Sequence, residues 1–153
     1  MHSRWSPLFD ELKSQAEHLQ LLKRVEFLGA VPYRQVATLM ATSDVVVAPS
    51  VEAIDGDCEG LPTVLLEAMA SQRLVISTPV GGIGLVLEDK VTGRMVRSKG
   101  SLALAEAMRE CIDHPSEQEA LVDQAYEVIQ AYNWTEIAAR YAKVLNEAVS
   151  PHG

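Results

Sequence analysis

The chain has 153 residues, 48% of them apolar and 22% charged, with a formal net charge of −8. That length suits one domain with a real core, and the negative balance argues against non-specific attraction to a nucleic-acid backbone while leaving a phosphorylated small molecule open. No run approaches the ~18 apolar residues of a membrane span, and the opening M-H-S-R-W-S-P has no apolar signal core, so the cytoplasm is the expected location.

In chain order, residues 8–22 carry Leu8, Leu12, Leu19 and Leu22 among charges, the pattern of an amphipathic helix. Residues 25–28 are a short apolar run ended by Gly29 and read as a strand. Residues 33–42 return to helical spacing. The run V-V-V-A at 45–48 has no polar alternation, which suits a strand covered on both faces, as in a parallel sheet. A helix around Glu67 follows, with Pro62 at its first position, where a missing N–H costs nothing. Residues 74–77 form another apolar strand. A glycine-dense turn, Gly81-Gly82-Ile83-Gly84, leads into a short helical piece through Asp89 and a weak last strand at Met95 and Val96.

Beyond that strand the pattern is helical. Ser101 is placed to cap a helix from 102 to 113, interrupted near His114 and Pro115. Ser116, with Glu119 three residues on, has a capping-box spacing. A last helix runs from Trp134 to about 149. Strand and helix alternate, so the fold class is α/β: a doubly wound, Rossmann-like parallel sheet with a helical C-terminal tail, residues 1–150 forming one domain. The tail is expected to pack across the sheet or to reach another domain.

Chemistry concentrates in residues 55–71. Glu59 closes an acidic, turn-rich loop, and Glu67 sits within a largely apolar helix. At about 100° per residue, Gly60, Thr63, Glu67 and Ser71 share one narrow stripe, with Leu61, Leu65, Leu66, Ala68 and Met69 covering much of the rest. Burying an unpaired carboxylate is costly, so Glu67 must face water, a partner or a ligand. Its two oxygens match two vicinal sugar hydroxyls; a solvent-facing helix glutamate is the plain alternative.

In an open parallel sheet, ligands bind beyond the carboxyl ends of the strands. The loops at 29–33, 49–61 and 78–84 are therefore expected to share one rim. The 81–84 glycines would let backbone N–H groups approach a phosphate, although they make neither a dinucleotide fingerprint nor a Walker loop, and a plain tight turn fits equally. Cys58 and Cys111 have no C-x-x-C or metal-ligand spacing with the four histidines. They read as free thiols, with a disulfide between them as the alternative. No catalytic triad or metal constellation is visible.

Taken together, E-G-L-P-T-V-L-L-E-A-M-A from Glu59 resembles the E-x7-E signature of the retaining family-4 (group 1) glycosyltransferases. V-E-F-L-G, S-D-V-V-V-A-P-S, L-V-I-S-T-P-V-G-G-I and E-D-K-V-T-G match further blocks of that family in order and spacing. The resemblance covers about residues 20–150. It implies the C-terminal, donor-binding domain of the GT-B fold and transfer of a sugar, with retention, from a nucleotide-diphosphate-sugar, with no metal and no further cofactor. Carried over by position, Glu67 would hold the ribose hydroxyls and Glu59 would contact the donor sugar as the catalytic residue. The backbone of Gly60 and Leu61 would lie near sugar and phosphate, as would Gly81 and Gly82 on their rim, and Gly29, Ala30 and Val31 near the base.

Two departures qualify the match. Gly84 and Leu85 stand where the family commonly has proline and glutamate. The family's first strand, its diphosphate-binding Arg and Lys, and its N-terminal acceptor domain have no counterpart, which implies an inactive or slow chain unless another domain or chain supplies them. The alternative function is a non-catalytic module binding a nucleotide or nucleotide-sugar.

Overall fold

A computed structural model describes residues 7–52 and 60–149 of the protein. The chain divides into two compact bodies, Met1–Val36 and Ala37–Gly153, which are described separately.

In the first, α1 occupies Pro7–His18 and buries Ala16. It stops short of the predicted residue 22 because Gln20 turns left-handed at φ 58°. The Leu21 N–H then reaches the Ala16 carbonyl at 2.8 Å and the Gln20 N–H that of Glu17 at 2.9 Å, closing the helix in a Schellman motif. The expected strand at 25–28 does not form. A strand is held by a ladder to a neighbour, and among the described residues none pairs with this run. Phe27 instead meets Phe9 edge-on, ring centroids 5.5 Å apart.

The helix predicted at 33–42 is present as α2, Tyr33–Thr42, and spans the division. In the second body, β1 (Val45–Ala48), α3 (Thr63–Ala70), β2 (Leu74–Ser77) and β3 (Arg94–Met95) are followed by α4 (Ser101–Asp113), α5 (Pro115–Gln130) and α6 (Trp134–Val149). The three strands stand in the order β1-β2-β3. Both pairs are parallel, Val45 opposite Leu74 and Ile76 opposite Arg94.

Because successive side chains alternate across a strand, β1 and β2 feed two cores. Val46, Ala48 and Val75 pack with Leu65, Ala68 and Met69 of α3 and with Ala125 and Ile129 of α5. Val45, Val47, Leu74 and Ile76 pack with Leu104, Ala107 and Cys111 of α4. Helices thus cover both faces, which is why V-V-V-A carries no polar alternation. Every residue of β2 is buried, whereas β1 and β3, each with one neighbouring strand, are only partly so.

Several element ends differ from expectation by local causes. Pro62 keeps an extended ψ of 121° and stands just before α3 instead of inside it. The far end of α3 repeats the device seen in α1: Gln72 is left-handed at φ 53°, and the Arg73 N–H bonds the Ala68 carbonyl at 3.0 Å. Only Ile83–Leu85 of the predicted helical piece closes, as a single 3₁₀ turn. Ser101 lies within α4, whose flanking residue is Gly100 with no side-chain cap. Pro115 begins α5, so Ser116 is already helical and the capping box is not made; a proline at the first position replaces it. The final strand is Arg94–Met95, with Val96 still donating its N–H to Ser77 at 2.9 Å.

Candidate functional site

The carboxyl ends of the three strands form one rim, tied by two buried hydroxyls that the sequence reading overlooked. Ser77 donates to the Ala48 carbonyl at 2.6 Å and Thr78 to the Ser50 carbonyl at 2.5 Å. Each joins the end of β2 to that of β1, and neither is more than 1% exposed. The only sequence signal for them was a pair of hydroxyl residues at the end of an apolar run. Beside them a hollow of about 240 Å³ is lined by Pro49, Val51, Thr78, Val96, Arg97, Lys99 and the start of α4. Arg97 and Lys99 thus place positive charge at the rim of an acidic chain.

The loop leading into α3 and the glycine turn after β2 meet directly. The Gly82 N–H donates to the Gly60 carbonyl. Gly81 stands at φ 58°, a conformation that favours glycine, and so delivers Gly82 to that contact. Gly60, Leu61, Gly81 and Gly82, expected near a diphosphate, are therefore brought together.

Glu67 projects from a different flank of the same region. On α3, Leu65, Ala68 and Met69 are fully buried, while Thr63 is exposed and Glu67 and Ser71 are half-buried; the polar stripe stays out of the core, as its spacing required. Glu67 borders a hollow of about 310 Å³ with Leu66, Ala70, Ile129, Gln130, Tyr132 and Asn133. The Tyr132 hydroxyl, reaching the Leu85 carbonyl at 3.3 Å, ties this flank to the glycine turn. No hydrogen bond or ion pair holds the Glu67 carboxylate among the described residues. Leu85, where the family pattern has glutamate, is 74% exposed.

Gly29, Ala30 and Val31 belong to the first body and follow no strand. Glu59 lies outside the described residues, with Asp55, Asp57 and Cys58. Cys111 is a buried free thiol, and burial pushes its pKa up. Among the described residues no cluster of His, Cys, Asp and Glu is arranged to hold a metal ion, and no helix is long and apolar enough to cross a membrane.

A second polar cluster sits at the opposite end of β3. Arg94 pairs with Glu110 of α4 at 2.6 Å and stands 3.5 Å from Asp89, whose carboxylate also accepts the Met95 N–H at 2.9 Å. Thr92, buried, accepts the Glu88 N–H at 2.8 Å and donates to the Val86 carbonyl at 3.1 Å. These bonds fix the turn between the glycine rim and β3.

A three-stranded parallel sheet with helices on both faces defines a Rossmann-like α/β class. Residues 6–128 match the family described as "Glycosyl transferases group 1", and the chain belongs to that family. Its architecture is that of the GT-B C-terminal domain. It is 31% identical over 144 residues to the phosphatidyl-myo-inositol mannosyltransferase of Mycobacterium leprae, covering 94% of this chain and 36% of that protein. It is 32% identical over 142 residues to the phosphatidylinositol N-acetylglucosaminyltransferase gpi3 subunit of Schizosaccharomyces pombe, covering 92% and 29%. Among solved structures, Anabaena HepE in complex with UDP and glucose superposes with a TM-score of 0.78 at 26% identity, covering 91% of this chain and 36% of that one. The chain spans about a third of the length of the curated relatives it matches.

Proposed function

We propose that this chain is the donor-binding part of a retaining glycosyltransferase and holds a nucleotide-diphosphate-sugar at the carboxyl rim of its sheet. The observation that carries this reading is Glu67: a half-buried carboxylate with no hydrogen bond or ion pair among the described residues, on a helix that buries Leu65, Ala68 and Met69 in the core, at the position the family pattern assigns to a sugar-binding acid. Paired hydroxyls of a ribose would satisfy both of its oxygens. UDP and glucose in the Anabaena HepE complex support a donor of this class. In this reading Glu59 contacts the donor sugar, and the Gly60 and Leu61 backbone lies against the diphosphate, held in place by the Gly81–Gly82 turn. The acceptor side comes from a further domain or chain, no metal is required, and the sugar is transferred by front-face attack assisted by the departing diphosphate.

Calorimetric titration of the chain with UDP, GDP and ADP tests the claim. One of the three is expected to bind preferentially, with Glu67→Ala weakening it about tenfold, the loss of a charge-assisted hydrogen bond or two. No heat from any of them at millimolar concentration would overturn the reading for this chain.

A further inference from the structure

We infer that Gly82 is a positioning residue, whose backbone clamps the entrance of α3 and sets the direction of the Leu61 N–H; the ligand-facing half of this inference rests on the nucleotide-sugar reading above. A glycine in a turn after a strand ordinarily suggests a backbone that touches phosphate itself. Here the Gly82 N–H is already spent, donated to the Gly60 carbonyl, so it is not available to a ligand. The approach is also too close for any side chain. A Cβ on Gly82 would lie 2.8 Å from the Gly60 oxygen and 3.4 Å from the Leu61 Cβ, and the first of these is backbone that cannot swing aside. Gly84, two positions on in the same turn, has nothing within 4 Å of such an atom. The close contact is particular to Gly82 and not to the turn.

The consequence follows from the peptide plane. In a trans peptide the C=O of one residue and the N–H of the next point in opposite directions. Holding the Gly60 carbonyl against Gly82 therefore aims the Leu61 N–H away from the glycine turn. Leu61 cannot rotate freely to undo this, because its side chain packs against the core formed by α3, β2 and α5. Gly82 thus fixes one donor at the head of the helix that bears Glu67, and does so from a loop contributed by the next strand. A diphosphate oxygen is the acceptor such a fixed N–H suits.

The first measurement concerns the chain alone. Amide exchange should be at least tenfold slower at Gly82 than at Gly84 after correction for intrinsic rates; equal rates overturn the clamp whether or not any nucleotide binds. The second uses Gly82→Ala beside Leu85→Ala, an exposed control in the same turn. Gly82→Ala is expected to lose at least tenfold in UDP affinity but less than twofold for uridine, which lacks the diphosphate, while Leu85→Ala changes neither. A UDP loss no larger than the uridine loss overturns the positioning role, since general loosening would weaken both. If the unaltered chain binds none of UDP, GDP and ADP, the nucleotide-sugar reading fails and the exchange comparison still decides the clamp. It also decides if Gly82→Ala does not fold.

Discussion

Helices α3 and α6 are both rich in apolar residues, yet they relate to the molecule in opposite ways. α3, of eight residues, buries Leu65, Ala68 and Met69 completely and leaves one stripe for Thr63 and Glu67. α6, of sixteen, buries nothing. Trp134, Tyr141, Leu145 and Val149 are at least 61% exposed, although their spacing puts them on one continuous face. An isolated eight-residue helix is not stable in water, so α3 exists because the sheet and α5 hold it. α6, twice as long, is not held that way by the described residues. Amphipathic spacing says that a helix has a face to bury; it does not say that the same chain buries it.

The largest test of that contrast is truncation in α3. Leu65→Ala removes a fully buried side chain between the sheet and α5 and should cost about 3 kcal/mol, read as a lower midpoint in urea unfolding. A cost under 1 kcal/mol would mean that α3 is packed more loosely than its burial indicates. On α6 the expectation reverses. Trp134→Ser and Leu145→Ser should each shift unfolding by less than about 0.5 kcal/mol and should reduce any self-association seen in sedimentation. A loss of 2 kcal/mol from either would show that the face is covered.

The smallest effect belongs to α4, which lies between the extremes. Its Glu110 bonds Arg94, and the hydrogen bond and charge of that guanidinium hold the Glu110 carboxyl below its ordinary value of 4.5. A carboxyl lowered in the folded state contributes stability that is present above about 4.5 and lost as pH falls through the lower, folded value. Glu110→Gln should therefore unfold slightly more easily than the unaltered chain at pH 7, and the gap should close as the solution is acidified below 4.5. Because Glu110 is largely exposed, the gap is small; a gap that is constant with pH would assign the effect to packing.

What sequence disclosed follows the same division. The β1 and β2 runs, α2, the break at His114 and Pro115, and the polar stripe of α3 were legible, because each is dictated by side chains within one local window. Four features were not. The apolar run at 25–28 has strand composition, but only a partner strand makes a strand. Gln20 and Gln72 end their helices in left-handed conformations that glycine or asparagine would have announced and glutamine does not. The Gly82–Gly60 contact joins two loops that sequence had already placed at one rim, but no local pattern pairs the N–H of one glycine with the carbonyl of the other. Arg97 and Lys99 went unremarked because they precede a helix without any motif, and only the sheet brings them to the strand ends.

The parallel pairing of β1 with β2 bears on how the chain folds. Val45 meets Leu74 across the whole of α3, so no hairpin can start this sheet. The entropy of closing that crossover must be spent before any ladder bond repays it. α3 is too short to form ahead of the sheet, and the sheet lacks its central strand until residues 74–77 have left the ribosome. Strand, helix and strand are therefore expected to condense together, and truncating the buried Val75 or Ile76 is expected to slow refolding as well as speed unfolding in stopped-flow measurements; an effect on unfolding alone would show that β2 docks after the rate-limiting step.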